Sequence, residues 1–264
     1  MTQKIPYWHV DAFSARPFGG NQAAVMVLDE WLPDDVLVTI GAENLFAETA
    51  FVVRDATGAA DWELRWCTPT YEIALCGHAT LASGHVLLNR DGGDGITFRT
   101  RKSGILEVRR DGAGYALALP AIVTEPAEHA EAVALMGATP QAVHRSALGY
   151  NVFLYESEAV VRSLAPDIRG LERLGADQFI ATAPGDASDV VSRVFVPGGG
   201  VDEDSVTGSA HAVLTPYWAK RLGRESFTAY QASQRGGDLT LRLDGDRAWL
   251  GGPCVTVVEG IFYL

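Results

Sequence analysis

Two carboxylates, an imidazole and a thiol draw attention in this 264-residue chain because of what surrounds them. Glu48 lies in Asn44-Leu-Phe-Ala-Glu48-Thr49-Ala-Phe-Val-Val53, at the mouth of an apolar strand pattern. A carboxyl group among apolar neighbours has its neutral form favoured, which suits a residue that takes a proton and returns it. Asp204, the second carboxylate, sits in Val201-Asp-Glu-Asp204-Ser205, shortly before Gly208. His78 stands in Cys76-Gly77-His78, and a similar turn, Thr207-Gly208-Ser209, comes later. Each turn opens a helical pattern, and helix N-termini present unpaired N–H groups and the positive end of a dipole. Two such ends facing one cleft would grip an anion, most simply a substrate carboxylate. Gly77 and Gly208 allow a ligand close to the backbone, and His78 is placed to hydrogen-bond or relay a proton. The chemistry this set points to is acid/base proton transfer on a small carboxylate-bearing molecule.

Other chemistries fit less well. Cys76, His78 and His85 resemble a metal set, but 78 and 85 lie about 10.5 Å apart along a helix at about 1.5 Å per residue. Ligands of one zinc ion cannot be so distant, so no metal is expected. Cys76 with His78 as a hydrolytic pair is disfavoured because i and i+2 on a helix share no face. Pro197-Gly-Gly-Gly200 lacks the Gly-Lys-Ser/Thr or GxGxxG continuation of a phosphate loop.

The positioning elements show a repeat. Gly104-Ile-Leu-Glu-Val-Arg-Arg-Asp111-Gly112 matches Gly237-Asp-Leu-Thr-Leu-Arg-Leu-Asp244-Gly245, and both run through an apolar stretch to Pro120 and Pro253. Each reads as a β-hairpin around an Asp-Gly turn. Glu72–Ala79 matches Glu203–Ala210, and Gly19-Gly20-Asn21 matches Gly149-Tyr150-Asn151 more weakly. Matches in order at nearly constant spacing argue for tandem duplication. Helical patterns after Gly77 and Gly208 are small or apolar around most of their circumference, so each helix is expected to be buried at the centre of its half. Pro216 in the second either kinks the helix or marks its start. The expected fold class is α+β: two pseudo-symmetric halves, residues 1–122 and 123–264, each a curved, mainly antiparallel sheet or barrel around a central helix. The last strand is free to return to the first half. A site at the seam is expected. The halves differ at one telling place: the Phe51/Phe179 match puts Ala176 where Glu48 stands, leaving a single base.

The composition, 47% hydrophobic and 20% charged, is that of a globular chain. A formal charge of −12 makes nucleic acid and anionic membranes poor partners. No run approaches the roughly 18 apolar residues of a membrane span. The first residues carry no secretory pattern, and three cysteines, Cys67, Cys76 and Cys254, suit a reducing cytoplasm.

Taken together, the motifs resemble the PhzF (phenazine biosynthesis-like) isomerase family. They are Asp11-Ala-Phe, Pro17-Phe-Gly-Gly-Asn21, Ala47-Glu48-Thr49-Ala-Phe, Cys67-Thr-Pro69, Leu75-Cys-Gly-His-Ala-Thr80, Glu203-Asp204, Thr207-Gly-Ser-Ala-His211 and Gln231-Ala-Ser-Gln-Arg-Gly-Gly237. The resemblance implies the diaminopimelate epimerase-like fold, no cofactor and a homodimer. It implies Glu48 as the proton-transferring residue, with His78, Asp204 and Ser209 as other polar site groups. Gly77, Gly208, Asn21 and Cys76 would line the substrate site. The family's best-known reaction moves a proton between carbons of trans-2,3-dihydro-3-hydroxyanthranilate. The related epimerases use a cysteine at each helix start; here Cys76 holds the first position and Thr207 the second, so two-cysteine racemisation is not available. A one-base epimerase, or a binding protein without catalysis, are the alternatives. Gln22, Ala47 and Ser205 stand where the family often has Pro, Ser and Pro, which bears on the substrate.

Overall fold

The fold is that of a computed structural model, which describes residues 3–264. The chain forms two compact units, Met1–Leu119 with Gly251–Leu264, and Pro120–Leu250. Beside the sequence division at 122/123, the contacts draw the first boundary at 119/120 and return residues 251–264 to the first unit.

In the first unit, strand Lys4–Ala12 pairs antiparallel with both Asn21–Val27 and Cys254–Tyr263. Asn21–Val27 runs parallel to Glu48–Arg54, which is antiparallel to Trp62–Cys67. Trp62–Cys67 pairs antiparallel with the short strand Glu72–Ile73 and parallel with Gly95–Thr100. Hairpins then carry the sheet through Ile105–Asp111 to Gly114–Pro120. Parallel neighbours need a long crossover, and this requirement explains the helices. Helix Asp34–Asn44 joins the first parallel pair, and helix Gly77–Asp91 joins the second. Helix Asp34–Asn44 is not among the elements that the sequence patterns predict. Its start is legible in retrospect as Pro33 followed by Asp34 and Asp35 in the first turn, where acidic residues suit the dipole. It packs Leu37 and Ile40 against Ile5, Met26 and Phe51.

Helix Gly77–Asp91 is central, with every residue from Gly77 to Leu88 buried. Its buried hydroxyls turn back on the helix: Thr80 donates to the Cys76 carbonyl at 2.5 Å and Ser83 to the Ala79 carbonyl at 2.7 Å. Burial therefore leaves these polar groups satisfied.

The second unit carries the same order of pairings. Ala142–Arg145 is antiparallel to Tyr150–Leu154, which is parallel to Gln178–Pro184. Gln178–Pro184 is antiparallel to Val190–Val196, which pairs with the short Val201–Asp204 and runs parallel to Ser226–Gln231. Gly237–Asp244 closes a hairpin on Ser226–Gln231. Short helices Glu158–Ser163 and Ile168–Glu172 fill the first crossover, and helix Gly208–Leu222 fills the second. A core of Phe153, Tyr155, Leu171, Phe179 and Phe195 packs under the short helices.

Pro216 neither starts nor breaks its helix. Proline lacks the N–H that would bond the carbonyl of Ala212. That carbonyl instead accepts from the Ile122 N–H at 3.1 Å, so the chain entering the unit supplies the missing donor. Among the described residues, no helix is long and apolar enough to cross a membrane.

Candidate functional site

Glu48 is the first residue of its strand, and three features of the sequence put it there. Helix Asp34–Asn44 ends with Leu45 in the left-handed region, φ 56°. Asn44 then donates its Nδ2 to Thr49 Oγ1 at 3.0 Å, clipping the short return to Glu48. Parallel pairing sets Glu48 opposite Ala23. On the neighbouring strand, Asn21 follows Gly20, whose φ is 62°. A Cβ at Gly20 would run into the Ala12 carbonyl and lie 3.0 Å from Ser14 Cβ, so the approach to Asn21 requires glycine.

These elements converge at the start of the central helix. His78 Nε2 lies 3.2 Å from Glu48 Oε2. The contact is an ion pair rather than an aligned hydrogen bond, because Glu48 Oε2 is shut from solvent without a well-directed donor. On the other side of the ring, Asn21 Nδ2 lies 3.1 Å from His78 Nδ1. Cys76 Sγ lies 3.6 Å from His78 Nδ1 and 3.9 Å from Nε2. The sequence argument against a Cys76–His78 contact is thereby corrected. Cys76 is the N-cap, with φ −140° and ψ 115°, so it stands outside the helix and the helical spacing rule does not apply to it.

Burial works against a charge on the His78 ring, but the pull of Cys76 and Glu48 outweighs it and sets the pKa well above the ordinary imidazole value. Burial, with Glu48 beside it, pushes the Cys76 thiol up to about 11. Cys76 is therefore a neutral thiol near pH 7. The Asn21 amide is linked to this state. Its Nδ2 facing Nδ1 matches a neutral ring protonated on Nε2; its Oδ1 there would match the imidazolium. His85 stands apart, bound through Nε2 to Thr256 Oγ1 at 2.8 Å. Glu48, not His85, completes the potential metal donors: Glu48, Cys76 and His78 bring ligand atoms within 4.8 Å of one another.

The second unit gathers its own polar set at the start of helix Gly208–Leu222. Thr207 Oγ1 donates to Asp204 Oδ2 at 2.6 Å. Gln231, fully buried, accepts the Thr207 N–H at 2.8 Å and donates to the Asp204 carbonyl at 2.7 Å. It fixes both ends of the turn that carries Asp204. Gln178 Nε2 donates to Ser209 Oγ at 3.1 Å, and the Tyr150 hydroxyl reaches the same serine. Gln178 heads the strand parallel to its predecessor, as Glu48 does in the first unit. The expected counterpart of Glu48, Ala176, is thus replaced by Gln178. The slip comes from matching Phe51 with Phe179, an offset of 128, whereas the strand heads Glu48 and Gln178 are 130 apart, the same offset as Asn21 and Asn151.

The first unit therefore brings together Glu48, His78, Asn21 and Cys76 around the Gly77 turn. The second brings Asp204 and Ser209 to either side of Gly208. Gln178, Tyr150 and the role of Gln231 were missed. They act through strand neighbours far away in sequence, which no local pattern marks.

Comparison with known proteins gives a consistent result. The family model described as phenazine biosynthesis-like protein matches residues 10–260. An uncharacterized isomerase of Pseudomonas aeruginosa is 46% identical, covering 97% of this chain and 98% of the relative. A crystal structure of a PhzF-family phenazine biosynthesis protein from Enterococcus faecalis superposes with a TM-score of 0.93 at 40% identity, covering 99% of this chain and all of that one. A predicted epimerase of Pseudomonas aeruginosa shares the fold, with a TM-score of 0.73 at 18% identity over 98% of this chain and 99% of that one.

Proposed function

This chain belongs to the phenazine biosynthesis-like protein family, and we propose that it is an isomerase that moves a proton between carbons of a small carboxylate-bearing substrate, with Glu48 as the single acid/base and no cofactor. Family and fold support the isomerase class. The observation that carries the assignment of Glu48 is its buried pairing with His78 at the start of the central helix. Glu48 as a carboxylate removes a C–H proton, becoming the neutral acid, and gives the same proton to a second carbon on the same face. The electron pair left on the substrate is delocalised between the two carbons. His78, charged beside Glu48, and the free N–H groups of the helix start offset the negative charge that develops. Asn21 orients the imidazole through Nδ1, and Cys76 closes the site as a thiol. Asp204 is assigned with His78 to the catalytic groups that assist Glu48, and Gly208 and Ser209 to substrate binding, with Gln178 and Gln231 holding this second set in place.

Trans-2,3-dihydro-3-hydroxyanthranilate is the first compound to test, and Ala47, Gln22 and Ser205 are the positions at which a different substrate would be accommodated. One-base epimerisation uses the same Glu48 and differs in returning the proton to the original carbon. A cytoplasmic homodimer completes the reading, and the shared order of strand pairings supports descent of the chain from a tandem duplication. The test is C–H exchange in D₂O over a panel of small carboxylic acids, that compound included, with purified protein and its Glu48→Gln variant. Exchange by the wild type, falling about 100- to 10,000-fold in the variant, is expected. Equal exchange by both removes Glu48 from the mechanism; binding without exchange by either favours a binding protein.

A further inference from the structure

Glu48, Cys76 and His78 present an oxygen, a sulfur and a nitrogen within 4.8 Å of one another. Around tetrahedral zinc, with bonds of about 2.0 Å to nitrogen or oxygen and about 2.3 Å to sulfur, neighbouring ligand atoms are about 3.3–3.6 Å apart. His78 Nε2 is already 3.2 Å from Glu48 Oε2 and 3.9 Å from Cys76 Sγ. Closing on an ion therefore requires shifts of a few tenths of an ångström on these two edges. Cys76 and His78 are both more than nine-tenths buried, and Glu48 Oε2 has no aligned donor to give up.

A second observation points the same way. A metal-bound imidazole normally donates its other ring N–H to an acceptor, which fixes the ring. Asn21 stands 3.1 Å from His78 Nδ1, the nitrogen that faces away from Glu48, and a flip of its amide puts Oδ1 there as that acceptor. The thiolate selects zinc-class ions over magnesium or calcium, and three protein ligands leave a fourth position open.

We propose that Glu48, Cys76 and His78 form a binding site for a zinc-class divalent ion, and that the ion, by occupying the proposed acid/base, switches proton transfer off. The second half rests on the function proposed above; the first does not. Binding replaces the Cys76 S–H bond and the His78 Nε2–H bond of the imidazolium with bonds to the metal and releases both protons to solvent, with no change in oxidation state.

Co²⁺ is the probe, titrated into the full chain kept reduced with a phosphine. The expected result is one ion per chain, a thiolate-to-cobalt charge-transfer band with tetrahedral visible bands, two protons released while the His78 ring is charged, and loss of the bands on adding Zn²⁺. Cys76→Ser abolishes the charge-transfer band, Cys254→Ser retains it, and Asn21→Leu weakens binding about 10- to 100-fold. Circular dichroism checks folding, and if Cys76→Ser does not fold, Glu48→Gln and His78→Asn, each binding at least tenfold more weakly, decide in its place. Absence of the band in the wild type, or its persistence in Cys76→Ser, overturns the site. Zn²⁺ binding that leaves C–H exchange unchanged overturns the switch. A chain that exchanges no substrate at all defeats the proposed function, while the cobalt band still decides the metal site.

Discussion

Gln178 donates to Ser209 at 3.1 Å at the head of a strand in the second unit, as Glu48 meets His78 at 3.2 Å at the head of the matching strand in the first. Two like frames thus hold different chemistry. One carries an ionisable pair, a carboxylate with an imidazole. The other carries an amide with a hydroxyl, which bind and orient but exchange no proton near neutral pH. This difference is what supports a single base in the proposed reaction.

The pair in the first unit has a titration signature. His78 has its pKa raised above the ordinary 6.5, the pull of Cys76 and Glu48 exceeding the cost of burial. A raised pKa in the folded state adds stability that is fully present below the unfolded value, about 6.5, and is lost as pH rises through the folded value. By NMR, the His78 ring of the wild type should hold its proton well above the ordinary 6.5 and lose it at lower pH in Glu48→Gln. An unshifted midpoint in that variant would show that Glu48 does not hold the charge.

Two other histidines act with the opposite sign. Burial lowers His85 and His211 to about 4. His211 Nδ1 faces the Thr207 carbonyl at 2.8 Å, so it is the donor of a neutral ring, and Nε2 faces Ser192 Oγ at 3.3 Å. Between about pH 4 and 6.5 the unfolded chain binds protons that the folded chain refuses, so stability falls as pH falls. For fully buried His211 the loss is on the order of 3 kcal/mol by pH 4. Urea midpoints measured from pH 7 to 4.5 should drop, with a shallower slope in His211→Gln. A slope unchanged by that substitution would mean the acid limb arises elsewhere.

What the sequence made legible follows from its physics. The central helices were readable because small apolar residues surround Gly77–Leu88 and the stretch after Gly208, and only a buried helix tolerates that. Glu48 was readable because one acid at the head of Ala-Phe-Val-Val is conspicuous. The Cys76–His78 contact was not, because the helix spacing rule was applied to a residue that caps the helix from outside. Gln178 is displaced by two positions because the paired phenylalanines Phe51 and Phe179 are 128 apart while the strand heads Glu48 and Gln178 are 130 apart. Gln231 stands in a recognisable motif, yet its role depends on a strand that returns 24 positions later to meet Thr207.

That return contact gives a stability test. Gln231 is fully buried and satisfies the Thr207 N–H and the Asp204 carbonyl together. Gln231→Leu keeps much of the volume but leaves both backbone groups without these partners, at about 1–3 kcal/mol for each unsatisfied group. Urea denaturation should therefore show a loss of about 2–5 kcal/mol, and Gln231→Glu, which retains an acceptor for the Thr207 N–H, should lose less. Indifference of the midpoint to Gln231→Leu would mean that water or another group takes over both bonds.

Gly84 offers a case in which two rules predict opposite signs. It lies inside helix Gly77–Asp91, where alanine is ordinarily better than glycine by about 1 kcal/mol. A Cβ at this position would lie 2.7 Å from Val108 Cβ and closer still to Val108 Cγ1. Val108 is itself fully buried, in strand Ile105–Asp111, so neither the methyl nor the strand has room to yield. Overpacking of this kind costs about 1–3 kcal/mol and exceeds the gain in helix propensity. Gly84→Ala should lower the thermal midpoint. Val108→Ala, which opens a cavity alone, should be partly repaired when Gly84→Ala is added, because the new methyl then fills the space the valine vacated. A double-mutant cycle measures this as a coupling of about 1 kcal/mol or more in favour of the pair. Additive losses would show that the central helix shifts away from the strand, and that Gly84 is not the point of close approach on which the packing of this helix depends.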